Sequence, residues 1–546
     1  MRLYPSDSVY RMKNDADMAD VGSERPRANW AALVCLVVPV SVLFLNTTAL
    51  NVALPALSTD LGAGTLEQQW IISVYNLVFA AALLPGGWLG DRFGFTRVLS
   101  VGMVMFMLGA AVAALAPGAV PLMVSRAIMG CGASVFTPMS MALIPSLFAH
   151  RDRQRAMTVW TLASILATPL GPVLGGGLVS LWGWRTIFWF DVVAMGVAVV
   201  LNRRIVAPRA RLAVGRTAAG TAGTGARGRA GRSDTDSPWT EAALVTAGVV
   251  LVTGGLIKLG DTASWPAAAM VVLGAASLAV FAWTDLRAAT PFAHVELFGD
   301  PRYAVAALLL ALLNVVQFGL IFTLPGYLQT VLGHNALIGG LLLLPIFVGG
   351  IVGGAASERI ARRLGAVRTC LACLGAVAVG LAATAWGSAT ASLTMVMAGL
   401  LIVGGASGAG QPVAMSSGLE RIPSAVRGSG TALLNVLRQI GSVLGVAAIG
   451  GVQASVYRRR LAREVGAPTA SGLGGTVARA FESASGLPAP AGEALRSAAS
   501  RAYLDGLAAS TALAAGVAVV VLLVCGVLAR RIMPENGADA MIGGDT

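Results

Sequence analysis

Arg126, Asp191, Lys258 and Arg438 are charged side chains that interrupt stretches of otherwise apolar sequence. Inside lipid such a charge is costly unless it meets water, a partner or a bound solute. Burial disfavours the charged form of a carboxylate, which is how an embedded acid comes to exchange a proton at accessible pH. Asp191, in Phe188-Trp-Phe-Asp191-Val, lies about one and a half turns into its run by α-helical geometry. It has two readings: a proton carrier, or a surface partner of Arg185. Arg126 lies several residues inside its run, so relay of protons or contact with a solute competes with snorkelling. Arg438 is flanked by Asn435 and Gln439; these residues either relay protons or contact a solute, or they form a structural polar network. Lys258 stands near the end of its run and is expected to snorkel.

A second group of residues has the chemistry of a solute pocket. Asn46, Tyr75, Asn76, Asn314, Gln317, Phe318 and Gln411 are amide and aromatic side chains within apolar runs. An apolar wall bearing a few polar groups suits an amphipathic organic molecule. Each of them taken singly also has a plain packing reading. The five cysteines, Cys35, Cys131, Cys370, Cys373 and Cys525, all fall in apolar runs. Cys370 and Cys373 have CxxC spacing without a second pair or a His cluster, so neither a metal nor another cofactor is expected. No Gly-rich phosphate loop is visible, which argues against an enzyme or an ATP-driven pump.

The elements that must position these residues are membrane spans. The chain of 546 residues is 56% hydrophobic and 12% charged, with a mean hydropathy of +0.75, which excludes an ordinary soluble protein. Fourteen runs of spanning length begin near Trp30, Trp70, Val98, Pro121, Ala156, Thr186, Ala242, Ala267, Ala304, Leu337, Thr369, Ser392, Gly430 and Ser510. Backbone groups in lipid must be satisfied within their own segment, so each run reads as a helix. The net charge of +13 is not spread as a nucleic-acid patch. Most Lys and Arg fall on one set of alternate connections, which places both termini in the cytoplasm by the positive-inside rule. Use of Arg in place of Lys, with abundant Ala and Gly, points to a GC-rich bacterial genome and so to a bacterial cytoplasmic membrane. No cleaved signal peptide is expected.

The expected organisation is a cytoplasmic tail over 1–29, a six-helix half over 30–202 and a flexible cytoplasmic linker over 203–241. Two additional spans over 242–284 follow, then an amphipathic cytoplasmic connection over 285–303. A second six-helix half covers 304–529, with an outer loop over 453–507, and a cytoplasmic tail closes the chain over 530–546. Ala-rich stretches around Thr476–Ser485 and Ala491–Leu504 predict a helical hairpin within that loop.

Short motifs lie between and within these runs. The segment Gly87-Trp-Leu-Gly-Asp91-Arg92-Phe-Gly94-Phe-Thr-Arg97 joins the second and third runs. Gly87 permits close helix approach, Gly94 lets the chain reverse, and Asp91, Arg92 and Arg97 can latch a helix end at the water boundary. The plain reading is a charged cytoplasmic turn. A degenerate echo, with Gly354, Glu358-Arg359, Arg362-Arg363 and Gly365, joins the corresponding runs of the second half. The first segment resembles the signature hairpin of the major facilitator superfamily. Residues 45–55, from Leu45-Asn46-Thr47 to Leu54-Pro55, closely resemble the first-span motif of its fourteen-span drug:proton antiporter family. Arg126 with Gly130 and Gly132, the span-five stretch holding Gly171, Pro172, Gly175 and Gly176, Trp182-Gly-Trp184-Arg185, and Asn435 to Gly441 match further family patterns in order.

The resemblance implies an all-α membrane protein with the major facilitator fold, two six-helix halves plus two extra central spans. It implies a monomer that exports amphipathic drugs or antibiotics in exchange for protons by alternating access, within membrane lipid and without nucleic acid. Gly171 to Gly176 would seal the path between cavity and exterior, against the reading of a structural kink. The family usually has Asp where this chain has Asn46, and more often Asn where it has Asp191. The exchange implies that the titrating site has moved, and that neutral or anionic substrates are favoured over permanent cations. A lipid or metabolite exporter of the same fold, and a membrane sensor or scaffold that has lost transport, stand as alternatives.

Overall fold

The apolar runs leave the backbone one way to satisfy its own N–H and C=O groups, and the described residues contain helices and no strands. The computed structural model describes residues 30–532 except 149, 209–238, 262–263, 289–290, 292–293, 421, 424–425, 467–472 and 474. The tail 1–29, most of the linker 203–241 and most of the tail 530–546 therefore lie outside the described residues.

The first half contains α1 (Trp30–Val52), the short α2 (Leu54–Asp60), α3 (Thr65–Phe93), α4 (Phe95–Ala114), α5 (Ala119–Leu147), α6 (His150–Trp182) and α7 (Arg185–Leu201). A π turn over Asn202–Val206 prolongs α7. Two further helices follow, α8 (Trp239–Asp261) and α9 (Trp265–Arg287). The Val295 amide, in the connection after α9, donates to Asp285 Oδ2 of α9 at 2.8 Å. The second half contains α10 (Pro301–Pro325), α11 (Ala336–Leu342), α12 (Leu344–Leu364), α13 (Ala366–Ala389), α14 (Leu393–Leu419), α15 (Arg427–Val465), α16 (Val477–Ser485) and α17 (Ala489–Ile532). Among the described residues, 12 helical segments are long and apolar enough to cross a membrane.

Each half has its own core. One runs from Ala32 to Val206 and takes in Phe322 and Val446 from the second half, with Phe318 packed against it. The other runs from Tyr303 to Cys525 and takes in Val52 from the first. The helices come close enough to pack because small residues stand at the crossings, the usual device where lipid supplies no hydrophobic drive between helices. A Cβ on Gly102 would lie 2.9 Å from the Gly132 carbonyl oxygen, and one on Gly132 would lie 2.6 Å from that of Gly102. α8 bridges the halves, with Val249 packed against Leu77 of α3 and Val443 of α15.

The two hairpins expected to be repeats have the same backbone. Gly94 joins α3 to α4 at φ +89 and Gly365 joins α12 to α13 at φ +80. Their amides donate 2.9 Å bonds to Gly90 and Ala361 respectively, closing the preceding helices. Side chains disfavour that φ, so glycine is required at both reversals.

Residues 453–465 are part of α15, which runs unbroken for 39 residues. α17 has 44 residues. At 1.5 Å per residue each is roughly 60 Å long, about twice the hydrocarbon thickness. The segment expected as an outer loop over 453–507 consists largely of the ends of these two long helices, held together by Arg460–Asp505 (3.2 Å) and Arg501–Glu464 (2.7 Å). α16 folds back onto these ends beside α2, forming the cap end of the bundle.

Candidate functional site

The centre of the first half holds a buried polar network drawn from α1, α3, α5 and α7. Asn46 Nδ2 donates to Asp191 Oδ2 at 2.5 Å. Arg126 Nη1 donates to Asn46 Oδ1, and Arg126 Nε donates to the Ile71 carbonyl at 3.3 Å. The guanidinium also lies over the Tyr75 ring, 4.1 Å from its centroid. Asn46 and Asp191 are 0% exposed and Arg126 is 1% exposed. The Asn46 amide is oriented by its two partners: the NH2 faces the acid and the carbonyl faces the cation. One uncharged side chain thus bridges a buried acid and a buried cation. An ion removed from such a set leaves the other buried and uncompensated.

Asp191 does not pair with Arg185. That arginine binds Asp60 at the end of α2 and donates through Nη2 to the Ala116 carbonyl at 3.2 Å. Asp60 also accepts from Trp184 Nε1 at 2.8 Å. The Trp184 hydrogen bond, and after it the Arg185 guanidinium, hold the Asp60 carboxyl below the usual carboxylate range. Arg126 does not snorkel either; its head group is locked inside the half.

Several buried side-chain atoms of α1, α3 and α7 have no hydrogen-bond partner among the described residues. They include Asp191 Oδ1, Asn51 Oδ1, Gln69 Nε2, Ser73 Oγ and Asn76 Oδ1. Gln69, Ser73 and Asn76 have i, i+4, i+7 spacing, which sets them along one line of α3. Sequence reading missed Gln69 and Ser73, although that spacing was the signal available.

The span-five glycines form the seam between the halves. A Cβ on Gly175 would sit 2.8 Å from that of Ala49, and Gly171 abuts Leu45 and Thr48, so this face of α6 lies directly on α1. Thr48 Oγ1 completes the contact by donating to the Thr168 carbonyl at 2.8 Å. Gly176 abuts the Ala336 carbonyl, and the Pro172 carbonyl abuts Gly340 on α11 of the other half. α6 remains helical through Pro169 and Pro172. Leu337 N donates to Ser180 Oγ at 3.0 Å, and Gln329 Nε2 donates to the Val52 carbonyl at 2.8 Å. Ser58 and Thr476 share a 2.8 Å hydroxyl bond, and Thr65 Oγ1 donates to the Gly475 carbonyl at 3.0 Å. These ties all lie at the cap end. Beneath them is a cavity of about 40 Å³ bordered by Ser58, Gln68, Gln453, Tyr457 and Thr476; Gln453 Nε2 and Tyr457 Oη have no hydrogen-bond partner among the described residues.

The remaining candidates do not join the Asp191 network. Asn76 and Asn314 turn back onto their own helices, donating to the Ile72 (3.5 Å) and Leu310 (2.9 Å) carbonyls. Phe318 packs on the core of the first half, as does Phe322, which sequence reading missed. Gln317 and Gln411 are half-buried on α10 and α14. Asn435 donates to the Thr431 carbonyl at 3.0 Å, so it does not bind Arg438. Gln439 accepts from Ser442 Oγ only through its backbone carbonyl, at 2.6 Å. At the α3–α4 hairpin Arg92 and Arg97 are exposed; the side-chain surroundings of Gly87 and Asp91 lie outside the described residues. No cluster of His, Cys, Asp or Glu among the described residues could hold a metal ion.

Comparison with known proteins follows the same architecture. Multidrug efflux pump LfrA of Mycolicibacterium smegmatis is 28% identical over 516 residues, 93% of this chain and 97% of LfrA. Puromycin resistance protein pur8 of Streptomyces alboniger is 28% identical over 83% of this chain and 87% of its own length. Methyl viologen resistance protein SmvA of Salmonella typhimurium is 28% identical over 87% and 93%. The inward-facing, unoccupied crystal structure of a bacterial homologue of the human lysosomal transporter Spinster superposes with a TM-score of 0.63 at 16% identity, covering 93% of this chain and 98% of that one. Residues 38–446 match the Major Facilitator Superfamily. With both glycine-turned hairpins inside that match, the chain is a multi-pass membrane protein that belongs to the Major Facilitator Superfamily.

Proposed function

We propose that this chain exports amphipathic organic compounds of the drug or antibiotic class from a bacterial cell in exchange for protons. The relatives named for multidrug efflux and for puromycin and methyl viologen resistance, matched over most of their lengths, support the cargo class. The buried Asp191–Asn46–Arg126 network is the observation that carries the coupling. Asp191 is its only acid, and a proton delivered there removes the negative charge that Asn46 relays to Arg126. Arg126 must then find another partner or move toward water, and either change alters how α1, α5 and α7 pack.

We further infer fourteen crossings with both termini in the cytoplasm. α3, at 29 residues, and α8, at 23, are long enough to add to the 12. The cap end then faces outward, and its ties between the halves correspond to a state closed to the exterior. The chain works as a monomer in the cytoplasmic membrane, with α8 and α9 as extra spans against the seam. Alternating access requires those cap-end ties to break as the halves rock.

The test is substrate-induced proton release from proteoliposomes holding the wild type or Asp191→Asn. Coupled release in the wild type, lost in the variant, is the expected result. Unchanged coupling in the variant removes Asp191 from the mechanism. Export without proton movement in the wild type removes antiport.

A further inference from the structure

We propose that Arg438 is the anchor for an acidic group on the cargo, so that the favoured compounds are amphipathic organic acids; this rests on the exporter reading above. In the first half the embedded cation Arg126 is linked through Asn46 to an acid, Asp191. The second half has an embedded cation with no such link. Arg438 lies 11 positions into α15, about 16 Å along the helix. It is half-buried and makes no hydrogen bond or ion pair among the described residues. Its polar neighbours do not serve it, since Asn435 and Ser442 bond to their own backbone.

The phase of α15 shows where this side chain points. Gly441 and Gly445 abut Ala311 and Val315, fixing the face toward α10. Val443 packs on Leu77 and Val249, fixing the face toward α3 and α8. Val446 packs into the core of the first half beside Phe322. Arg438, Ser442 and Val446 follow i, i+4, i+8 spacing and so form one stripe. Arg438 therefore lies on the line of α15 that is turned to the opposite half, two turns further from the cap-end closure than Val446.

The acids on the helices packed against α15 are Glu67 and Asp91 of α3, Glu241 and Asp261 of α8, and Glu493 and Asp505 of α17. Glu67, Asp91, Glu241 and Asp261 stand in the end turns of their helices, Glu493 stands just past the first turn of α17, and Asp505 is held by Arg460; α10 and α14 carry none. An unpaired guanidinium in this setting takes water or an anion. Its planar fork matches a carboxylate with two parallel hydrogen bonds, whereas a permanent cation meets like charge.

The test uses purified full-length protein with pyrenebutyrate, its uncharged methyl ester and ethidium as fluorescent ligands. The wild type is expected to bind the acid at least about tenfold tighter than the ester, the size of one charge-assisted hydrogen bond. Arg438→Gln should lose that preference while its affinity for the ester holds, and Arg438→Lys should keep part of it. Ser442→Asp, one turn away, places a carboxylate beside the guanidinium and should also erase the preference, giving a second route if Arg438→Gln does not fold. Equal binding of acid and ester by the wild type, tighter binding of ethidium than of the acid, or a preference undiminished in Arg438→Gln or in Ser442→Asp overturns the proposal. A protein that binds the acid through Arg438 and moves no compound in proteoliposomes keeps this site and overturns the exporter reading. Export of compounds without acid preference does the reverse.

Discussion

Asn46 and Asp191 are joined side chain to side chain at 2.5 Å across α1 and α7. The two positions are therefore one site, and an amide and an acid can exchange places across the hydrogen bond without moving the charge far. Asp191→Asn leaves two facing amides and strips Arg126 of its counter-charge. That variant should lose proton-coupled export. Asn46→Asp combined with Asp191→Asn returns one acid to the site, now in direct contact with Arg126. The double variant should recover much of the coupling, measured as substrate-induced proton release in proteoliposomes. Recovery no greater than in Asp191→Asn alone would show that the acid must stand on α7.

The sequence made some of this legible and hid the rest for identifiable reasons. The spans are legible because lipid forces a run of that length into a helix, and the hairpins because only glycine fits their positive φ at Gly94 and Gly365. The odd pairing of Asn46 with Asp191 was visible as two departures from a family pattern. That they touch was not, because 145 positions separate them and only the packing of α7 on α1 brings them together. The alternative partner, Arg185, looked attractive because it is near in sequence. Asp60, which binds it instead, carries no motif. The segment expected as an outer loop over 453–507 holds the end of α15, α16 and the start of α17, with Arg458, Arg459 and Arg460 on α15. A helix projecting beyond lipid can carry charge as readily as a loop does, so polarity alone does not mark where a span stops.

The Asp60–Arg185–Trp184 contact ties α2 to the start of α7, and its contribution should depend on pH. The folded-state pKa of Asp60 is lowered by the Trp184 and Arg185 contacts. The stabilisation is therefore fully present above the unfolded carboxylate value and is lost as pH falls through the folded one. Both partners are partly exposed, at 41% and 48% for their side chains, which limits the effect to about 1 kcal/mol or less. Asp60→Asn should lower the melting temperature slightly at neutral pH, and the gap from the wild type should close in strong acid. Thermal unfolding in detergent across that range checks it. A gap that widens as pH falls would contradict the assignment.

Ser58 on α2 and Thr476 before α16 meet at 2.8 Å across the seam between the halves. Hydroxyl oxygens that close place the two β-carbons near the spacing a disulfide accepts. If the halves must part at the cap end during each cycle, a covalent bond there should arrest the protein in the state seen here. Ser58→Cys with Thr476→Cys should transport under reducing conditions, lose most transport on oxidation, and regain it with reductant. Either single variant should be unaffected by the same treatments, because the native thiols Cys35, Cys370, Cys373 and Cys525 are buried and Cys131 is largely so. Cross-linking is scored by mobility on a non-reducing gel alongside efflux from proteoliposomes. Full cross-linking with undiminished efflux would mean that the α2–α16 contact moves as one piece, and that the exit path opens elsewhere.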